Sequence, residues 1–205
     1  LSAIEMSCWD IVGKALDQPI YNLMGGKVHE KIRSYTYLYP FGMELRPDPK
    51  DQNIMAVSDL FSDPEKAPQR AAEYIEKGFT ALKFDPVPMS SNDPRQLSLE
   101  VLDNTELVVK NMREAVGSKC DLLVGTHGQM TTSSAIRLAK RIEKYDPLWF
   151  EEPVPPDNID AMALVASKTS IPIATGERLS TKYEFAQVIE KKAASIIQFN
   201  LGRVG

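Results

Sequence analysis

DLLVGTHGQ (121–129), PLWFEEP (147–153) and PIATGER (172–178) decide how this chain is read. Each holds a short continuous apolar run that ends in polar residues, and the segments between them carry apolar residues at helical spacing. Continuous apolar runs alternating with amphipathic helices are what a parallel sheet covered by helices requires, because such strands are buried on both faces. The run-ends fall at Gly125, Glu151 and Glu177, 26 residues apart each time. Equal spacing returns the chain to one rim after every strand–helix unit. In a β/α barrel that rim, at the C-terminal ends of the strands, carries the chemistry. Glu151 and Glu177 then stand on neighbouring strand ends and repel one another unless a cation lies between them. Such a hard-oxygen pair suits Mg²⁺.

Outward from this stretch the pattern continues. RSYTYLY (33–39), rich in aromatic and β-branched residues, is expected to be a strand, as are TALKF (80–84) and SIIQFN (195–200). This gives six strands, at 33–39, 80–84, 121–125, 147–151, 172–176 and 195–199. Helices are expected at 65–77, 97–116, 132–143, 157–168 and 182–190. Near the start, Ile4, Cys8, Ile11, Val12 and Ala15 share a helical face. Pro19 breaks that helix, and Gly25 and Gly26 stop it. The proline-bearing segment 43–64 is expected to be a loop with a short helical piece at 54–61. Pro86, Pro88 and Pro94 make a rigid connection after the second strand.

Composition narrows the class of function. Apolar residues make up 43% and charged residues 25% of the 205, enough for a sizeable core. The net charge of −4 comes without a basic face, which argues against nucleic acid as a partner. No run approaches the roughly 20 apolar residues of a membrane span. Two widely separated cysteines fit a reduced, cytoplasmic setting better than a disulfide scaffold. Leu1 opens inside an amphipathic pattern and Gly205 stops shortly after the strand-like run SIIQFN, at the start of another turn, so the chain is expected to be a piece of a longer protein.

Several residues at the strand ends can carry chemistry. Lys83 closes the second strand with Asp85 two residues on, which places both on one face if the strand extends that far. They are either rim groups or a solvated lysine and a turn-forming aspartate. His127 is one of two histidines, positioned to carry a proton near working pH, or else a loop histidine held by the backbone. Only one of Glu151 and Glu152 can readily face the axis. Arg178 either meets substrate or pairs with Glu177 as a strand-end cap. Gln198 and Asn200 can each hydrogen-bond a substrate hydroxyl or satisfy a backbone group. Tyr37 and Tyr39 are candidates for the pocket wall, whereas Trp149, Phe150 and Met130 are expected to pack.

The runs LKF, THGQ, WFEEPVPP, ATGERL and SIIQFNLGRVG together resemble the barrel of the enolase superfamily. Within it, the likeness is to the mandelate racemase and muconate lactonizing enzyme group, particularly its acid-sugar dehydratases. The opening AIEMSCWDIVGKALDQPIYNLMGG resembles the helix leading from that family's capping domain into the barrel. The resemblance implies a linking helix over residues 1–30 and an incomplete (β/α)7β barrel over 31–205. It also implies Mg²⁺-dependent removal of the proton α to a carboxylate of a sugar acid, giving an enediolate. By the same resemblance Glu151 and Glu177 are metal ligands, Lys83 is the second-strand lysine, and His127 protonates a leaving hydroxyl. Asp85 stands where many relatives have a second lysine. Gly125 replaces an aspartate ligand, and Asn200 replaces the aspartate of a His–Asp dyad. On that basis Gly125→Asp is expected to strengthen Mg²⁺ binding. A racemase, epimerase or cycloisomerase on a similar acid is the alternative chemistry, and a truncated or divergent non-catalytic member the alternative class. Homo-oligomers are expected from the family pattern.

Overall fold

The computed structural model describes residues 1–39, 60–61, 63–87 and 96–205. Six strands form one all-parallel sheet in sequence order: β1 (Thr36–Tyr37), β2 (Ala81–Phe84), β3 (Asp121–Gly125), β4 (Trp149–Glu151), β5 (Ile173–Thr175) and β6 (Ile196–Ile197). Consecutive parallel strands in sequence order, each reached through a helix, are the winding of a β/α barrel, here partial.

The strands are shorter than their apolar runs, most of all at the two edges. β1 and β6 have one neighbour each, so their ladders cover only two residues apiece, against the expected 33–39 and 195–199. Helices α1 (Ser2–Ala15) and α2 (Ile20–Leu23) flank Pro19, which serves as the N-cap of α2. The helices between strands are α3 (Lys66–Glu76), α4 (Leu99–Val116), α5 (Thr132–Ile142), α6 (Ile159–Ala166) and α7 (Lys182–Glu190), and α8 (Leu201–Val204) follows β6. Their starts are fixed locally. Ser98, Thr131 and Asn158 each accept a backbone N–H of the first turn, and Thr181 with Glu184 forms a capping box. The expected helical piece at 54–61 and most of the Pro86–Pro94 connection lie outside the described residues, although Leu60 and Phe61 are described and buried.

Two apolar layers follow from the alternation of side chains. Leu82, Phe84, Leu122, Val124, Phe150 and Ile173 point toward the helices and join Leu102, Met112, Leu138 and Val165 in the main core. Ala81, Leu123, Trp149 and Ala174, with Ile196 against them, form a smaller inner cluster. That inner cluster is the floor of the rim, since Lys83, Gly125, Glu151 and Gln198 each lie two residues further along the same strand faces.

Two arginines fasten the opposite end of the sheet. Arg33 donates to the Thr80 hydroxyl at 2.9 Å, to the Thr80 carbonyl at 2.5 Å and to Asp121 at 2.6 Å, tying the segment before β1 to the starts of β2 and β3. Arg113, in the last turn of α4, donates to the carbonyls of Gly117 and Cys120 at 2.8 and 2.9 Å and of Tyr145 and Asp146 at 2.9 Å each. It thereby closes the loops that enter β3 and β4. No helix among the described residues is long and apolar enough to cross a membrane.

Candidate active site

Lys83 and Glu151 belong to β2 and β4, which are separated by β3. Neighbouring strands lie roughly 4.8 Å apart, so the lysine must pass over a whole strand to meet the glutamate. It does so at the glycine. A Cβ on Gly125 would stand 3.3 Å from Lys83 Cε and would overlap Asp85 Oδ1. The bare backbone at Gly125 opens a channel through which β2 side chains reach β4. Lys83 Nζ lies 2.6 Å from Glu151 Oε1, with both side chains almost wholly buried. Burial works against the Lys83 ammonium, but the Glu151 carboxylate outweighs it and holds the lysine above its ordinary pKa. Burial likewise pushes the Glu151 carboxyl up, with Lys83 pulling against it and Glu177 adding repulsion.

Asp85 continues past the end of β2 on the same face as Lys83, and only 8% of it is exposed. Its Oδ2 lies 2.6 Å from His127 Nδ1, and its Oδ1 is buried without a hydrogen-bond partner. Tyr37 lies against the same carboxylate. Burial first and Asp85 second drive its hydroxyl well above the usual range. His127 holds a left-handed backbone, φ +50°, uncommon outside glycine. The turn that imposes it is fixed to β4: the Thr126 hydroxyl lies 3.0 and 2.9 Å from the Glu151 and Glu152 carbonyls, and Gly128 N–H donates to the Glu152 carbonyl at 2.7 Å. Gly128 is left-handed too, at φ +68°, and a Cβ there would press against Arg178 at 2.6 Å and the Val154 carbonyl at 3.2 Å.

Among the other expected site residues, the structure separates those on the rim from those beside it. Gln198 reaches the rim. With its amide oriented to accept from the Tyr35 hydroxyl at 2.8 Å, its nitrogen donates to Glu151 Oε2 and Oε1 at 2.8 and 3.1 Å. Asn200 instead caps α8, accepting from Gly202 N–H at 2.9 Å, so it satisfies a backbone group. Arg178 pairs with Glu152 rather than Glu177, at 2.5 and 2.9 Å, and Thr175 also reaches Glu152. Glu177 is half-buried and, among the described residues, has no hydrogen bond or ion pair. Its charge acts on both Glu151 and His127.

Tyr35 was legible but missed. It shares the strand face of Tyr37 and Tyr39, stacks edge-on against Trp149 with centroids 5.3 Å apart, and holds Gln198 in place. Trp149 packs as expected, within the inner layer.

The packing bears on the expectation for Gly125→Asp. A side chain at 125 would enter the volume that Asp85 Oδ1 already fills, so the substitution displaces Asp85 before it can add a ligand.

The model for the enolase C-terminal domain-like family matches residues 66–205, well over half of the chain. This chain belongs to that family. Among curated relatives of the enolase-type domain, a D-gluconate/D-galactonate dehydratase from Picrophilus torridus is 33% identical over 98% of this chain and 46% of its own length. A D-xylonate dehydratase from Haloferax volcanii is 35% identical over 100% of this chain and 47% of its own. The chain thus spans about half the length of these relatives. A solved structure from Labrenzia alexandrii DFL-11, described as a candidate mandelate racemase/muconate lactonizing enzyme, is 54% identical with a TM-score of 0.87. It covers 100% of this chain and 51% of its own. The enolase-type fold is therefore shared along the whole of the chain.

Glu151, at the end of β4, and Glu177, two residues past β5, are oxygen donors whose charges repel, and the second has no partner among the described residues. As the side chains are placed, no three His, Cys, Asp or Glu groups among the described residues close on a single ion.

Proposed function

We propose that the parent protein dehydrates a sugar acid by removing the proton α to its carboxylate, with Mg²⁺ as cofactor. The observation that carries this reading is the assembly of Lys83, Asp85, His127 and Glu151 on one rim, through the gap at Gly125. The dehydratase names of the two relatives support the substrate class.

In this reading Glu151 and Glu177 would hold the cation, which would supply positive charge to the substrate carboxylate and so make the α-proton more acidic. The α-proton passes to a general base supplied elsewhere in the parent protein, while Lys83, kept protonated by Glu151, places a second positive charge beside the same carboxylate as the enediolate forms. Loss of the β-hydroxyl then requires a proton. His127, with 43% of its side chain exposed and its Nδ1 engaged by Asp85, presents Nε2 toward the open rim to give it. Water departs, and the enol collapses to a 2-keto-3-deoxy acid. Gln198 fixes the orientation of Glu151 and Arg178 that of Glu152, so neither is free to bind a substrate hydroxyl as placed.

Product analysis on D-gluconate, D-galactonate and D-xylonate tests the reading. A 2-keto-3-deoxy acid, formed only with Mg²⁺ and lost on His127→Asn, is the expected outcome. Products that retain every hydroxyl would replace dehydration with epimerisation. Calorimetric titration of Mg²⁺ without substrate separates both from a non-catalytic chain: heat at millimolar Mg²⁺ or below is expected, and it should vanish in Glu177→Gln.

A further inference from the structure

We propose that Asp85 is the positioning partner of His127, forming a carboxylate–imidazole pair across β2 and β3 that the missing side chain at Gly125 makes room for. The proposal rests on the reading of His127 as the proton carrier for the use to which the proton is put; the pair itself stands on geometry.

Three observations converge on it. Asp85 Oδ2 lies 2.6 Å from His127 Nδ1, and the aspartate is more than nine-tenths buried while the imidazole is nearly half exposed. A buried carboxylate against a ring nitrogen fixes both tautomer and ring orientation, leaving the outer nitrogen to face solvent and substrate. Second, the backbone on either side is shaped for the contact. Gly125 has no Cβ to occupy the place of Asp85 Oδ1, and the left-handed turn at His127 bends the ring back over the end of β2. Third, Tyr37 of β1 lies near the same carboxylate, whose charge raises its hydroxyl's pKa after burial does. Tyr37, Asp85 and His127 therefore stand beside one another across three strand ends.

The charges around the ring agree with this assignment. Its hydrogen bond to Asp85 raises the His127 pKa, burial works against that, Lys83 from β2 opposes it, and Glu177 beyond β5 supports it. The sign follows: with the folded-state value above the unfolded one, the pair stabilises the fold fully below about pH 6.5. That contribution is lost as pH rises through the folded-state value.

The test is nitrogen-15 NMR of the imidazoles, which is tractable because the chain has two histidines and His29→Gln assigns the other. In the parent chain neutral His127 should carry its proton on Nδ1. Asp85→Asn should lower its titration midpoint by about one unit or more and shift the tautomer toward Nε2–H. Gly125→Ala, which expels Asp85 without changing it, should do the same, and Tyr37→Phe should do neither fully. These readouts need no substrate, so they hold or fail independently of the dehydratase reading. If activity is found, Asp85→Asn should lower kcat with KM little changed and move the alkaline limb of the pH profile down. An unaltered His127 midpoint and tautomer in folded Asp85→Asn and Gly125→Ala would overturn the proposal. So would loss of Mg²⁺ heat in Asp85→Asn with the His127 midpoint unmoved, since Asp85 would then be a metal ligand.

Discussion

Lys83 and Gly125 have to be considered together, because the lysine can reach Glu151 only where β3 offers no side chain. Two predictions belong at this scale. Lys83→Met leaves a buried carboxylate with the Gln198 amide as its remaining partner. Breaking a buried pair from one side costs about 3–5 kcal/mol, so urea unfolding should show a loss of that order, largest at neutral pH. Gly125→Ala forces a methyl into occupied volume and should cost about 1–3 kcal/mol. With Asp85→Ala in the same chain the combined loss should fall short of the sum, since the residue in the way has been shortened. How much of this was visible in the letters differs residue by residue. Glu151 and Glu177 announced themselves through spacing, and Lys83 through its place at the end of an apolar run. The pairing of Asp85 with His127 did not, because it depends on a volume that only the packed strands define. Arg178 was misleading for a related reason: its sequence neighbour is Glu177, yet the turn aims it back at Glu152, just past the end of β4.

Among the elements, the strands β2 to β5 were legible because each is a buried run bounded by polar residues. The edges were not, because an apolar run marks where a strand can form and a neighbour decides how far it does. Tyr35, Thr36 and Tyr37 look like the middle of a longer strand, but only Thr36 and Tyr37 pair with β2. Helix ends were readable in hindsight from Ser98, Thr131, Asn158 and Thr181, all of them side chains that compete well for a free N–H. Two measurements check this level. Leu122→Ala empties a fully buried position of β3 on the helix-facing side and should cost about 2–5 kcal/mol by denaturant unfolding. Thr181→Ala removes half of the α7 capping box and should cost about 1 kcal/mol, with an unchanged midpoint counting against the box.

Taken whole, the described chain is a parallel sheet with the candidate site on one rim and two edges, β1 and β6, that each pair on one side only. Beside β6, Ile197, Phe199 and Leu201 are 36%, 54% and 61% exposed. Apolar side chains next to unpaired backbone invite pairing with another chain. Sedimentation of the 205-residue chain should therefore show concentration-dependent association, and Ile197→Lys with Phe199→Lys should weaken it. Association untouched by both changes would place the contact elsewhere. The arginines at the far end of the sheet carry a different consequence. Arg33 and Arg113 bind five backbone carbonyls and two side chains between them, all on the side away from Glu151. Damage there should show up as a lower melting temperature without touching the rim, whereas changes near Gly125 should disturb the rim residues as well as stability. Evolution, or an engineer, can thus harden the molecule from underneath while leaving its repertoire free to drift.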